Sequence, residues 1–139
     1  MKFVVHSRAN MMAANPPEAP WALISICEKG DFPVVHENDH MTGRLNLQFH
    51  DADVPKEGEV LFTEDMARQV LDFYQAHEAD TSVIYVHCLM GQSRSAGVAA
   101  ALTKALTGDD SNYFRPGPYK PNMLVFRKVL DEAHERGLI

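Results

Sequence analysis

One stretch of the sequence, SVIYVHCLMGQSRSAG, constrains the fold more than any other. It opens at Ser82 with SVIYV, whose β-branched and aromatic side chains are typical of a buried strand. Helix-forming residues follow from Ser93 in the run SRSAGVAAALTKAL, which ends before Gly108, a residue suited to a helix C-terminus. A buried strand that leads through a short loop into a helix is the unit from which parallel α/β sheets are built. The sequence therefore predicts an α/β fold.

The remaining segments extend this pattern along the chain. Three further apolar or alternating runs predict strands, at Lys2–Val5, Ala22–Cys27 and Arg44–Phe49. A helix is expected from Thr63, which can cap it, to about His77. The last helix turns an apolar face inward, formed by Val125, Phe126, Val129, Leu130 and Ala133. We expect a central, mostly parallel (mixed) sheet of about four to five strands flanked by helices.

Composition and charge narrow the class of protein. A chain of 139 residues can bury a sizeable core, and we expect a single domain over residues 1–139. The formal net charge of −6 argues against a nucleic-acid partner, because phosphate backbones are bound by an excess of Lys and Arg. No apolar run approaches the roughly 20 residues of a membrane helix. The N-terminal MKFVVHSRANMM has no sustained apolar segment, so we expect no membrane partner and a cytoplasmic location.

Neither the cysteines nor the histidines have the spacing of a metal site. Cys27 and Cys88 form no C-x-x-C pair and no Cys/His cluster with zinc spacing. His36 and His40 stand four apart in HENDH, but no helical apolar pattern surrounds them. We therefore expect no metal. Cys27, in the strand ALISIC, is expected to be a core thiol, with a redox disulfide to Cys88 as the alternative.

Cys88 is surrounded by residues that can stabilise a negative charge. It lies at the carboxyl end of a predicted strand, where the active sites of open α/β sheets are found. The N–H groups of the following loop and the positive end of the next helix would converge on an anion. Gly91 allows the loop to turn with positive φ, and the Arg94 guanidinium can bind two phosphate oxygens at once.

The free energy needed to hold Cys88 as a thiolate shows why several of these groups are required. Lowering the pKa of a cysteine from about 8.5 to about 5.5 needs roughly 4 kcal/mol of preferential thiolate stabilisation. A helix N-terminus supplies at most about 2 kcal/mol. The remainder has to come from the loop N–H groups, from Arg94 and from a hydroxyl such as that of Ser95. The sequence therefore predicts a reactive thiolate beside an anion site.

The residues around Cys88 resemble the H-C-x5-R-S signature loop of the cysteine-dependent protein tyrosine phosphatases. They read His87-Cys88-Leu89-Met90-Gly91-Gln92-Ser93-Arg94-Ser95. The compact dual-specificity-like members, bacterial and phage forms among them, are the most similar. The resemblance extends most clearly from the third strand through the last helix, and it implies the protein tyrosine phosphatase fold. It also implies that the substrate phosphate is bound by Leu89, Met90, Gly91, Gln92, Ser93 and Arg94.

The resemblance implies a mechanism that uses no metal and no cofactor. Cys88 attacks phosphorus and forms a phosphocysteine, while Arg94 and the loop N–H groups bind the equatorial oxygens. Ser95 would assist departure of the thiolate, and His87 would orient the loop from behind. The same resemblance implies a general acid on a loop upstream of the cysteine.

The segment FHDADVP offers two candidates for this general acid. Asp51 directly follows the RLNLQFH strand, which matches the usual position in the family, so it is the preferred candidate. Asp53 is the alternative. Asn122, before the last helix, is expected either to cap that helix or to brace a loop.

A phosphorylated protein or a small phosphomonoester is the implied substrate. Family members that act on phosphoinositides tend to carry lysines in the loop, whereas Leu89, Met90 and Gln92 are uncharged. The chain also lacks the additions that deepen the pocket of large tyrosine-specific enzymes, so we expect it to accept phosphotyrosine and also phosphoserine or phosphothreonine. Two alternatives stay open: a non-catalytic phosphate- or phosphoprotein-binding module, and a sulfurtransferase or redox thiol enzyme.

Overall fold

A computed structural model describes residues 1–139 of the chain. Its elements are β1 (Lys2–Ser7), α1 (Arg8–Ala13), β2 (Trp21–Cys27), β3 (Met41–Gln48), α2 (Glu64–His77), β4 (Val83–Cys88), α3 (Arg94–Thr107), α4 (Ser111–Phe114) and α5 (Met123–Glu135). The four strands form one sheet in the order β1-β4-β2-β3, and every neighbouring pair is parallel. The predicted α/β class is confirmed, with a sheet that is parallel throughout. No helix has both the length and the apolar character needed to cross a membrane.

Both faces of the sheet are covered, as a parallel sheet requires, one of them by helices and the other by the short helix α1 and an irregular segment. All residues of β2, WALISIC, are buried, which explains why every residue of this strand except Ser25 is apolar. The main core lies between one face of the sheet and helices α2, α3 and α5. On the other face a smaller cluster lies under α1 and the segment 28–40, and it consists of Met11, Trp21, Leu23, Val35 and Val83.

Several element boundaries differ from the predictions. Helix α1 was not expected, because it has only six residues and buries only Met11, so it shows no apolar periodicity. Helix α4 has only four residues and was not expected either. Strand β3 begins at Met41, three residues before Arg44. The predicted cap of α2 is confirmed, since the Thr63 hydroxyl accepts a hydrogen bond of 3.1 Å from the backbone N–H of Met66.

The parallel sheet brings the carboxyl ends of its strands to one edge. In the register of β1 with β4, Ser7 lies opposite Cys88, and in that of β2 with β4, Ser25 lies opposite His87. Cys88 is the last residue of β4, and α3 begins six residues later at Arg94. Residues that directly follow each strand therefore meet around the loop between β4 and α3.

Candidate active site

The loop between β4 and α3, residues 89–93, is held in place by its carbonyl groups; we call it the signature loop. Three of these carbonyls accept backbone hydrogen bonds of 2.8 to 3.1 Å, from Arg8 N to Leu89 O, from Lys120 N to Gln92 O and from Asn122 N to Ser93 O. None of the loop N–H groups donates to an oxygen of the chain. Because three of its carbonyls are bonded to other segments, the loop is fixed with its N–H groups next to the N-terminus of α3, where they are able to bind an anion.

Gly91 allows the signature loop to pack directly on the end of β1. Its φ is +67°, a conformation that favours glycine. A Cβ at this position would lie 2.6 Å from the backbone nitrogen of Ser7 and 2.7 Å from the carbonyl carbon of His6. Backbone conformation and steric contact therefore both require glycine here.

Cys88 is buried beneath the signature loop, with 2% of the residue exposed. Its Sγ lies 3.1 Å from the Ser95 hydroxyl oxygen. Burial alone raises the pKa of the Cys88 thiol. Hydrogen bonds from the Ser95 hydroxyl and from the N–H groups of Ser95 and Gly91, together with the charge of Arg94, outweigh burial and bring the pKa below its ordinary value. The structure thus places these four predicted site residues together.

Arg94 is buried with part of its hydrogen-bonding capacity unused. Its Nη1 donates to the Phe49 carbonyl at 3.0 Å, and its Nη2 lies 3.8 Å from a Glu28 carboxylate oxygen. Its Nε–H is buried and has no partner. A buried guanidinium N–H without an acceptor is rare in folded proteins, and an anion bound against Arg94 would supply that acceptor.

His87 lies behind the signature loop, fully buried. Its Nε2 is 2.6 Å from the Ser25 hydroxyl, which also accepts a hydrogen bond of 3.3 Å from Arg44. Because a carbonyl oxygen can only accept, Nδ1 of His87 carries the proton and donates to the Cys88 carbonyl at 3.4 Å. In the neutral ring Nε2 then accepts from the Ser25 hydroxyl. Burial, with a smaller contribution from nearby arginines, lowers the pKa of His87 to about 4. His87 is therefore a neutral residue that holds the backbone of Cys88.

The two candidate acids lie beside the signature loop in an open cleft of about 300 Å³. The Ser93 hydroxyl donates to Asp51 Oδ1 at 2.7 Å, and the Asn122 amide donates to the same oxygen at 3.0 Å. The carboxylate of Asp53 lines the cleft and makes no hydrogen bond to the chain. Asn122 also caps α5, so it serves both of the roles that the sequence left open.

Comparison with known proteins identifies the fold. No protein-family model matches the sequence, and no curated protein matches it either. The solved structure of human tyrosine phosphatase-like serine/threonine/tyrosine-interacting protein matches with a TM-score of 0.66 at 17% identity, over 99% of this chain and 93% of that one. The chain has the protein tyrosine phosphatase fold.

Two further solved structures share the phosphatase fold. PTPMT1 matches with a TM-score of 0.60 at 17% identity, over 97% of this chain and 90% of its own. Human DUSP28 matches with a TM-score of 0.55 at 14% identity, over 96% of this chain and 92% of its own. The resemblance to compact dual-specificity phosphatases is confirmed at the level of the fold. At these identities the similarity establishes the fold alone.

Some residues around the signature loop of this phosphatase fold were not singled out from the sequence. Glu28 pairs with Arg94, and Arg8 bonds the loop through its backbone N–H. Each directly follows a strand, so the rule that sites form at the carboxyl ends of parallel strands could have found them. They help to line a cavity of about 220 Å³ next to Arg94, together with Ile26, Cys27, Lys29, Asp31 and Leu89.

Cys27 and Cys88 differ in their surroundings although both are free, buried thiols. Arg8 donates a hydrogen bond of 3.3 Å to the Cys27 sulfur. Burial nevertheless raises the pKa of Cys27, whereas the pKa of Cys88 is lowered. Of the two thiols, only Cys88 has the surroundings of a nucleophile. No group of three or more His, Cys, Asp or Glu side chains is arranged to hold a metal ion.

We expect Gly91→Ala to destabilise the protein by about 3 kcal/mol, since it combines positive φ with a backbone clash. Gly58→Ala is the matched control, because Gly58 has a φ of +78° and a Cβ there would meet nothing within 4 Å. The free energy of unfolding of this control should fall by only about 1 kcal/mol. Urea denaturation of both variants measures the difference. Equal losses would show that contact with β1 is not what requires Gly91.

The lowered pKa of His87 predicts that acid destabilises the fold. The pKa of His87 in the folded chain is about 4, below its ordinary value of 6.5, so the unfolded chain binds more protons between these two values. The free energy of unfolding should therefore fall by about 3 kcal/mol through this group as the pH drops from 6.5 to 4. Denaturation of wild type and His87→Gln at both pH values isolates the contribution of His87 to the pH dependence of the free energy of unfolding. An identical pH dependence in the two proteins would refute it.

Proposed function

We propose that this protein hydrolyses phosphate monoesters through a covalent phosphocysteine on Cys88. The observation that carries the proposal is the pairing of a buried, low-pKa thiol with a buried Arg94 Nε–H that has no partner. The N–H groups of the signature loop, none of which donates to an oxygen of the chain, add further donors around the same point. A site with one nucleophile and many hydrogen-bond donors suits a phosphoryl group, which presents three anionic oxygens.

In the first step the Cys88 thiolate attacks phosphorus, and the bond from phosphorus to the leaving oxygen breaks. Arg94 and the loop N–H groups bind the three nonbridging oxygens, whose charge they are already oriented to stabilise. Asp51 donates a proton to the leaving oxygen, so that an alcohol or phenol departs. Its hydrogen bond with Ser93 supports this role, because it holds the Asp51 carboxyl beside the signature loop.

In the second step water attacks the phosphocysteine. Asp51, now ionised, takes a proton from the water, and the bond between phosphorus and sulfur breaks. The Ser95 hydroxyl, 3.1 Å from the sulfur, donates a hydrogen bond to the departing thiolate. Inorganic phosphate leaves and Cys88 returns to its thiolate form.

The surroundings of the signature loop favour phosphorylated proteins or small phosphomonoesters as substrates. Leu89 and Met90 are 56% and 65% exposed, and Gln92 is also exposed, so uncharged side chains project beside the site. The cleft next to Asp51 is open rather than deep. These features support phosphotyrosine together with phosphoserine or phosphothreonine as substrates.

Hydrolysis of an aryl phosphate in the presence of EDTA tests the proposal. We expect turnover without added metal, with a rate that falls at acid pH as Cys88 becomes protonated. If the protein binds inorganic phosphate but shows no turnover between about pH 4 and pH 9, it is a phosphate-binding module and the proposal is wrong. Persulfide transfer without phosphatase activity would instead indicate a sulfurtransferase.

A further inference from the structure

The side chain of Asn122 connects the beginning of α5 to the loop that carries Asp51. Asn122 is 8% exposed, and both ends of its amide are used. Its Oδ1 accepts hydrogen bonds from the N–H groups of Leu124 at 3.0 Å and Val125 at 3.2 Å. Its Nδ2 donates to Asp51 Oδ1 at 3.0 Å and to the Ala52 carbonyl at 3.1 Å. The amide orientation is thus determined by four hydrogen bonds.

The backbone of Asn122 is fixed relative to the signature loop. Its N–H donates to the Ser93 carbonyl at 3.0 Å. Its own carbonyl approaches α3 so closely that a Cβ at Gly97 would lie 2.8 Å from it. Asn122 is therefore a rigid connection between the loop that binds phosphate and the loop that carries the acid.

The contacts of Asp51 distinguish its two carboxyl oxygens. Ser93 and Asn122 both donate to Oδ1, whereas Oδ2 has no hydrogen-bond partner within the chain. Because an oxygen that accepts two N–H or O–H donors is the poorer place for a proton, the proton to be transferred resides on Oδ2. Of the two donors, the Asn122 amide is the buried and rigid one.

We infer that Asn122 is a positioning residue for the general acid. Its amide holds Oδ1 of Asp51 and thereby directs the protonated Oδ2 to the leaving oxygen. This inference rests on the proposed function, in which Asp51 protonates that oxygen. Asn122 does not touch the reacting atoms, so its loss should affect only substrates whose leaving group needs a proton.

A series of aryl phosphates with phenol pKa values from about 4 to about 10 tests the inference. Asn122→Ser keeps an oxygen that can cap α5 but lacks the amide that reaches Asp51. We expect its kcat/KM to stay near wild type for the most acidic phenol. For phenyl phosphate, kcat/KM should fall at least about tenfold.

Two further variants separate positioning from general stability. Thr63→Ala removes the cap of α2, so it should lower the denaturation midpoint without a dependence on the leaving group. Asp51→Ala should show the steepest dependence of kcat/KM on the pKa of the leaving phenol. If Asp51→Ala shows that dependence and Asn122→Ser does not, the inference is wrong while the proposed function stands. If the wild type shows no turnover, the inference falls together with the proposed function. If kcat/KM of Asp51→Ala shows no dependence on the leaving group, the inference falls together with the assignment of Asp51 as the acid.

Discussion

Cys88→Ser is expected to abolish hydrolysis of aryl phosphates, with a loss of at least about 10⁴-fold in kcat. The surroundings of Cys88 lower the pKa of its thiol below the ordinary value, which raises the proportion of the nucleophilic thiolate. A serine hydroxyl in the same place keeps its proton, because no base lies against it: the nearest side-chain partner is the Ser95 hydroxyl. The variant loses the nucleophile but keeps Arg94 and the loop N–H groups as hydrogen-bond donors, so it should still bind inorganic phosphate.

Cys27→Ser provides the control for this result. Cys27 is the other free, buried thiol, and burial raises its pKa despite the nearby charges of Arg8 and Arg94. We expect this variant to keep wild-type turnover within about threefold. Steady-state kinetics and calorimetry with phosphate measure both variants. If both lose activity, turnover requires both thiols, and the assignment of Cys88 as the sole nucleophile would be wrong.

Arg94→Lys is expected to lower kcat/KM by about 10³-fold. The guanidinium of Arg94 holds the Phe49 carbonyl and lies near Glu28 while its Nε–H stays free. A lysine has the same charge, but its single ammonium group cannot keep the Phe49 contact and bind two phosphate oxygens as well. The loss should therefore appear in kcat and also in the affinity for inorganic phosphate.

Arg68→Lys is the matched control, since Arg68 is exposed on α2 and pairs only with Asp65 at 3.5 Å. It should leave kcat/KM unchanged. A loss of less than tenfold in Arg94→Lys would show that charge alone is sufficient and would contradict the bidentate role of Arg94.

The centre of the site could be predicted because it is contiguous in sequence. Cys88, Gly91, Arg94 and Ser95 lie within one strand–loop–helix unit, and their local roles follow from positive φ, the helix N-terminus and the chemistry of each side chain. The α/β class followed from the same unit, together with the fully buried run of β2.

The contacts between the outer residues of the site could not be predicted because they depend on tertiary packing. Asn122 and Asp51 are 71 residues apart and meet only once α5 packs against α3. The contact of Glu28 with Arg94 requires β2 to lie next to β4, an order that the sequence of elements does not reveal. Helix α1 was missed because it is too short to show a periodic pattern.

The most direct test of the central claim is to trap the phosphocysteine. The wild-type protein and Ser95→Ala, which lacks the hydroxyl that assists breakdown, would be mixed with an aryl phosphate in EDTA. Rapid denaturation and peptide mass spectrometry would then locate any covalent phosphate. We predict one phosphate on the peptide that contains Cys88, more of it in Ser95→Ala, and none on Cys27. Turnover with no phosphate on Cys88 in either protein would contradict the account.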